Sequence, residues 1–284
     1  MRILLTGSKG QVGSALAPAL ASLADVRAFD RQGLDLLEPR SIGRAIADVR
    51  PDIIVNAAAY TAVDRAERDE KTAFAVNYQA VQELAREARI NNALLVHFST
   101  DYVFDGEQPA PYVESDSPSP LNAYGRSKLA GERAVEASGC RHFIFRTSWV
   151  YGPAGRNFLH AILDAAKAKP ELKVVADQQG APTSSLAIAA AVAQILSGRD
   201  VLDKPAGIYH MSAAGRTTWH GFATAILQAE GLQTPVAAIG SHEYPVAARR
   251  PRNSLLDNAK LDAAFGVALP DWRQGLAAVL AAIH

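Results

Sequence analysis

Short apolar runs alternate along this chain with longer stretches in which apolar residues recur every three or four positions. The runs at 2–6, 25–29, 53–55, 94–98 and 142–146 have the length and continuous apolar character of buried parallel strands. The longer stretches, 12–23, 40–49, 72–90 and 122–137, predict helices between them. Strands alternating with helices point to an α/β protein with a doubly wound parallel sheet, in which ligands bind beyond the carboxyl ends of the strands. Polar segments stand at those ends: Asn56 to Thr61 after the third strand, Ser99 to Phe104 after the fourth and Thr147 to Tyr151 after the fifth.

The first strand runs into Gly7, Gly10 and Gly13, and a helix rich in alanine and leucine follows. Glycines at a strand-to-helix junction permit a tight turn, and the helix start offers free N–H groups to a pyrophosphate. The spacing G-x-x-G-x-x-G departs from the longer dehydrogenase fingerprint. Asp30, about 20 residues past the glycines at the end of the second strand, suits the hydroxyls of an adenosine ribose. Arg31 follows at once and suits a 2′-phosphate instead, so NADH and NADPH both stay open as the cofactor.

Beyond residue 150 the texture changes. Helices predicted at 157–169, 185–197, 217–230 and 272–283 are joined by longer loops containing glycine and proline. The expectation is a dinucleotide-binding domain over 1–150 and a smaller, discontinuous substrate domain over most of 151–284. Elements around 184–213 are expected to return to the sheet. The segment 105–120, with four prolines and several acids, reads as a mobile cover leading into the next helix.

Composition narrows the partners. The 284 residues are 49% hydrophobic, and 29 basic residues balance 29 acidic ones, which gives no electrostatic case for nucleic acid or an anionic membrane. The single cysteine, Cys140, excludes an intrachain disulfide and fits a reducing compartment. The first apolar run is too short for a signal peptide, and the apolar stretch 186–196 falls well short of the roughly 20 residues a span requires. A cytoplasmic protein is therefore expected.

The most informative spacing is Tyr124 and Lys128, four residues apart on the helix predicted at 122–137. That spacing puts a phenol and an ammonium on one face, one turn apart. A nearby positive charge favours the phenolate, so the expectation is a tyrosine with lowered proton affinity, exchanging a proton with a carbonyl or alcohol oxygen. Alone the pattern is weak, because most such pairs are ordinary solvated helix pairs. Thr100, just past the end of the fourth strand, adds a hydroxyl that can hold a substrate oxygen at the same end of the crevice. Trp149, after the fifth strand, can wall a sugar or a base there.

With these motifs in view the chain resembles the extended short-chain dehydrogenases/reductases, and more narrowly the dTDP-4-dehydrorhamnose reductase family. The resemblance rests on Leu4-Leu-Thr-Gly-Ser-Lys-Gly-Gln-Val-Gly13, Val55-Asn-Ala-Ala-Ala-Tyr-Thr-Ala-Val-Asp64, Ser99-Thr-Asp-Tyr-Val-Phe-Asp-Gly106 and Tyr124-Gly-Arg-Ser-Lys128. It continues through Phe145-Arg-Thr-Ser-Trp-Val-Tyr-Gly152, Asp177-Gln-Gln-Gly-Ala-Pro-Thr183, Gly207-Ile-Tyr-His210 and Arg250-Pro-Arg-Asn-Ser254, nearly the whole chain. It implies a Rossmann-type fold and NAD(P)H-dependent reduction of the C4 ketone of dTDP-4-dehydro-L-rhamnose, with Tyr124 as proton donor. The implied partner is a dTDP-4-keto-6-deoxysugar, and a homodimer stays open.

Carried over position by position, the resemblance puts Gly10, Gln11 and Val12 at the pyrophosphate, beside Gly7 and Gly13, and Asp30 at the adenosine ribose. It puts Asp35 and Leu36 near the adenine, and Ala59, Tyr60, Thr61 and Phe98 at the nicotinamide half. Thr100, Asp101, Tyr124 and Trp149 would surround the deoxysugar, Lys128 would hold the nicotinamide ribose, and Asn157 and Arg250 would meet the nucleotide diphosphate. Some relatives hold Mg²⁺ with glutamates where this chain has Ala15 and Leu186, neither of which can ligate a hard cation, so no metal is expected.

Two alternatives share the scaffold. A nucleotide-sugar dehydratase or epimerase is one; a dehydratase would carry an Asp-Glu pair where this chain has Asp101-Tyr102. A non-catalytic, nucleotide-binding regulatory subunit is the other, and it would have no need of Thr100, Tyr124 and Lys128 together. The charged run 64–71 reads as a solvated helix face, with Asp64 and Glu67 as the alternative caps of a helix behind the nicotinamide site; His97 reads as strand packing, and Trp219 and Trp272 as core.

Overall fold

The computed structural model describes residues 1–198 and 200–284. The first half runs β1 (Arg2–Thr6), α1 (Gln11–Ala21), β2 (Asp25–Phe29), α2 (Pro39–Val49), β3 (Ile53–Asn56), the short α3 (Val63–Ala66) and α4 (Glu70–Phe74), α5 (Ala80–Ile90), β4 (Leu94–Thr100), α6 (Ala123–Ser138) and β5 (His142–Thr147). The second half runs β6 (Val150–Tyr151), α7 (Phe158–Ala168), β7 (Leu172–Val175), β8 (Gln179–Gly180), β9 (Thr183–Ser184), α8 (Ser185–Ser197) and β10 (Gly207–His210). It ends with β11 (Thr217–Thr218), α9 (Trp219–Ala229), β12 (Val236–Ile239), α10 (Ala259–Phe265) and α11 (Trp272–Ile283).

Six strands form one parallel sheet in the order β10-β5-β4-β3-β1-β2, a Rossmann-type arrangement. The chain moves outward from β1 to β2 and then returns to β3 on the other side of β1. That reversal opens a crevice beyond the carboxyl ends of β1 and β3. Alternate residues feed opposite faces. Ile3, Leu5, Val55, Val96 and Phe145 pack under α1 and α8, while Leu4, Ile54, Leu95 and Ile144 pack under α2 and α5. Burying each such side chain stabilises the fold by about 1.5–3 kcal/mol, which is why the strands read as unbroken apolar runs. A separate cluster in the second half gathers Leu159, Ile162, Phe222, Ile226, Trp272 and Val279.

Two expectations change. The helix expected over 72–90 is broken by a wide π turn at Ala75–Gln79, between α4 and α5. Its cause is Asn77, whose buried amide accepts from the Tyr60 N–H (2.9 Å) and donates to the Tyr60 carbonyl (3.0 Å) and to Ser127 Oγ (2.9 Å). An extra residue in the turn aims that side chain at the loop after β3. The loop 105–120, expected as a mobile cover, is fastened instead. Tyr112 stacks on Phe104 with ring centroids 4.2 Å apart, and its backbone pairs with Leu255 and Asp257 at 2.8 Å each. Asn253 donates to the Gln108 and Ala110 carbonyls from the other side.

Candidate active site

The turn after β1 is shaped by contact rather than by side chains. Gly7 has φ +69°, and a methyl there would lie 2.7 Å from the Ala58 backbone. A methyl on Gly13 would run into the Gly7 carbonyl. Gly10 precedes α1 without a side-chain cap, and the first turn holds no acidic residue. The amides of Gln11, Val12 and Gly13 therefore point outward without intrahelical acceptors, at the positive end of the helix. Gln11 Oε1 is buried without a partner. This cradle fits a dinucleotide pyrophosphate.

Asp30 stands just past β2. Its carboxylate accepts from the Gln32 and Gly33 amides (3.0 and 3.1 Å) and pairs with Lys9. The Lys9 hydrogen bond, helped by the Gly33 amide, holds Asp30 below the usual carboxylate range. Arg31 is exposed and 3.8 Å from Asp35, which accepts from the Leu37 amide; Leu36 is buried. Two cations, Lys9 and Arg31, thus flank the expected ribose position.

The loop after β3 joins this turn to the corner at the end of β4 where Tyr124 and Thr100 lie. Ala58 lies against Gly7, Ala59 follows it, and Thr61 is exposed. Tyr60, gripped by Asn77, packs with Tyr124 on a small cluster of Ala66, Ala73 and Ala123. The α6 helix starts where two caps fix it: Asn122 Oδ1 accepts from the Gly125 amide (2.8 Å), and Glu67 accepts from the Ala123 amide (2.7 Å).

Tyr124 and Lys128 behave differently from the expectation. Burial pushes the Tyr124 phenol well above its ordinary range; the Thr100 hydroxyl opposes the rise and the Asp101 charge adds to it. The lysine does not tune it because its amine is turned to the sheet. Lys128 Nζ donates to the Phe98 carbonyl at 2.7 Å and lies 3.3 Å from His97 Nε2. Burial lowers Lys128 to about 8, against the pull of Glu132. Glu132 is itself tied in a buried pair to Arg146 on β5 (2.7 Å). Tyr124 is thus a phenol holding its proton at neutral pH, which suits a donor.

Thr100 is the last residue of β4, which runs two residues past the expected 94–98. Its hydroxyl donates to Asp101 Oδ1 (3.1 Å) and accepts from the Tyr102 amide (3.2 Å). Burial pushes Asp101 up to about 7, with Ser254 and Thr100 opposing, and Asp101 Oδ2 is buried without a partner. The Tyr102 ring meets Tyr124 edge-on, centroids 5.8 Å apart.

Asn122 also donates to the Arg249 carbonyl (2.8 Å), which brings α6 against a cavity of about 810 Å³. Phe158, Ile162, Trp219, Tyr244, Arg250 and Arg252 line it. Trp149 holds φ +49°, unusual for a bulky residue, and its ring stacks on Trp219 with centroids 3.6 Å apart. Arg250 donates to Asp64 (2.6 Å), and that contact holds the Asp64 carboxyl below its usual range. Asn157 caps α7 and donates to the Gly152 carbonyl (2.8 Å), so its side chain is already engaged.

Ala58 packs on Gly7, Tyr60 and Tyr124 share one small cluster, and Asn122 reaches the Arg249 carbonyl, so the glycine turn, the end of β4 and the cavity wall are joined through neighbouring residues. Phe98, Thr100, Asp101, Tyr124 and Lys128 come together at the end of β4. Sequence reasoning missed Lys9 and Asn77, read Asp64 as solvated face or helix cap rather than as the partner of Arg250, and took Trp219 for core and His97 for packing. A histidine inside an otherwise apolar strand was the one available signal among these. Ala15 and Leu186 are partly buried in apolar clusters, and among the described residues no three His, Cys, Asp or Glu side chains gather as metal ligands. Nor is any described helix long and apolar enough to cross a membrane.

Comparison with known proteins adds a family. The family model described as the RmlD substrate binding domain matches residues 1–284. A dTDP-4-dehydrorhamnose reductase of Burkholderia thailandensis is 48% identical, with 96% of each chain covered. The enzyme of the same name from Escherichia coli is 42% identical over 99% of this chain and 97% of its own. Among solved structures, the Bacillus anthracis dTDP-4-dehydrorhamnose reductase in complex with NADP superposes with a TM-score of 0.93, at 33% identity over 99% of each chain.

Proposed function

The chain belongs to the RmlD substrate binding domain family, and on that premise we propose that it is an NAD(P)H-dependent dTDP-4-keto-6-deoxysugar reductase. Its reaction is reduction of the C4 ketone of dTDP-4-dehydro-L-rhamnose to dTDP-L-rhamnose. The observation that carries this reading is a protonated phenol, Tyr124, beside the strand-end hydroxyl of Thr100, in a crevice that begins at a dinucleotide cradle.

NADPH or NADH, when bound, supplies the hydride. The amides of Gln11, Val12 and Gly13, with Gly7 and Gly10 clearing the approach, would hold the pyrophosphate. Asp30 would receive the adenosine ribose, with Lys9 and Arg31 at hand for a 2′-phosphate, and Asp35 and Leu36 would border the adenine. Ala59, Tyr60, Thr61 and Phe98 would flank the nicotinamide half, and Lys128 would hold its ribose.

Thr100 and Tyr124 would orient the ketone oxygen, and Tyr124 would give it a proton as the alcohol forms. The partnerless Asp101 Oδ2 suits a sugar hydroxyl. Trp149 would wall the sugar. The cavity of about 810 Å³ has the size of a ligand site, and Arg250 and Arg252 bring cations for the diphosphate. We assign the nucleotide-binding part to 1–150, with 184–213, and the sugar-nucleotide part to most of 151–284.

The test offers purified protein NADH or NADPH with dTDP-4-keto-L-rhamnose and follows loss of the reduced cofactor. Consumption that requires the sugar nucleotide is expected. No consumption with either cofactor would favour an epimerase or a regulatory subunit.

A further inference from the structure

The contacts that hold Arg250 on the cavity wall engage one end of its guanidinium and leave one edge open. Nη1 donates to Asp64 Oδ1 (3.1 Å) and to the Ala248 carbonyl (3.0 Å), and Nη2 donates to Asp64 Oδ2 (2.6 Å). The N–H groups that remain, that of Nε and the second of Nη2, lie side by side on one edge of the planar group and point the same way. Among the described residues neither has a hydrogen-bond acceptor. Asp64, on α3 just past the loop after β3, also accepts from the Ala248 amide (3.0 Å). Its carboxylate therefore clasps the backbone of this segment as well as the arginine head.

We propose that Asp64 is a positioning residue for a nucleoside diphosphate: it clasps the end of the Arg250 guanidinium and so turns the Nε–Nη2 edge to the cavity, to receive two phosphate oxygens. The proposal rests on the reading of this cavity as the sugar-nucleotide site, and it says how one of its cations is aimed. Two parallel N–H groups match two oxygens of a phosphate, which gives direction as well as charge. An arginine without the clasp would have to be ordered when the ligand arrives, and that ordering weakens binding. The acids on the same wall are engaged elsewhere. Asp177 accepts from the Ser241 hydroxyl (2.6 Å) and amide (3.0 Å), and Glu107 lies 3.5 Å from Arg249.

Charge alone argues the other way. The hydrogen bond from Arg250 holds the Asp64 carboxyl below its usual range, so Asp64 is an anion at neutral pH and repels a diphosphate. If only its charge mattered, neutralising it would tighten binding. Positioning predicts a loss. In Asp64→Asn either orientation of the amide sets an NH₂ against an N–H of Arg250, donor against donor, and the guanidinium must turn away. The two accounts differ in sign.

The experiment titrates dTDP into the intact chain by calorimetry. In Asp64→Asn the Kd should rise roughly tenfold, about the worth of one charge-assisted hydrogen bond. In an Arg250→Met background the same substitution should not weaken binding further, because there is no guanidinium left to aim. An unchanged or tighter Kd in Asp64→Asn overturns the proposal, and so does a wild-type chain that binds no dTDP. An equal tenfold loss in the Arg250→Met background overturns it too, since Asp64 would then be merely structural. Should Asp64→Asn fail to fold, Arg250→Lys decides: lysine can still pair with Asp64 but has no second edge to offer, so its Kd should rise comparably. Unaltered affinity in that variant is equally fatal. A chain that gives these results yet consumes no reduced cofactor keeps the proposal and loses the reductase reading.

Discussion

At the turn after β1 the groups offered to a ligand are backbone amides, held by glycines too close to their neighbours to carry a methyl. At the end of β4 they are side chains, contributed by β4 and α6 and supported by Asn77, Glu67 and His97 from elsewhere in the chain. The turn holds no titratable group of its own apart from the Lys9–Asp30 pair at its rim. The corner at the end of β4 holds a phenol raised by burial, a lysine lowered to about 8 and an aspartate raised to about 7. On the proposed reading, one end of the crevice would bind through fixed dipoles and the other would place protons through burial. Substitutions should separate the two functions.

The largest expected effect is at the corner. Tyr124→Phe should lower turnover by roughly 10²–10⁴-fold, the usual worth of a positioned general acid, while cofactor affinity by fluorescence titration stays within about threefold. Undiminished turnover would remove the phenol from the chemistry. The converse is Gly13→Ala, whose methyl collides with the Gly7 carbonyl and must distort the turn. Its cofactor Kd should rise roughly tenfold or more, worth at least about 1.4 kcal/mol, with kcat at saturating cofactor little changed. If the affinity is unaltered, the amides of the turn are not the pyrophosphate site.

The smallest effect tests burial itself. Asp101 keeps its proton to about pH 7 in the folded protein but loses it near pH 4 when unfolded. The folded state is then the better proton binder between those values, so stability falls as pH rises through that window. Asp101→Asn should flatten that fall, by at most about 3 kcal/mol in melts compared at pH 4.5 and 7. An identical slope in both proteins would mean that the carboxyl is ionised in the native state.

The contrast also explains what the sequence could disclose. The five strands through β5 were legible because parallel strands buried on both faces leave unbroken apolar runs. The glycine turn and the Tyr124–Lys128 spacing were legible because each is local. β10 was not picked out as a strand from pattern, since Gly207–His210 is four residues at a sheet edge and opens with a glycine. The π turn escaped because one extra residue hardly disturbs helical periodicity, and its cause, Asn77, binds Tyr60, 17 positions away. The direction of the Tyr124 shift escaped for a related reason. Spacing along a helix gives the lysine's position but not the depth of burial, nor that its amine would turn to the carbonyl of Phe98.

The most direct test of the central claim is the fate of a labelled hydride. Protein turning over dTDP-4-keto-L-rhamnose with NADPH deuterated at the transferring nicotinamide carbon should deliver one deuterium to carbon 4 of the sugar in each product molecule. In Tyr124→Phe the same label should arrive at the same carbon, only far more slowly. Deuterium retained on the cofactor, or found at another sugar carbon, would contradict the assignment of this crevice to reduction at C4.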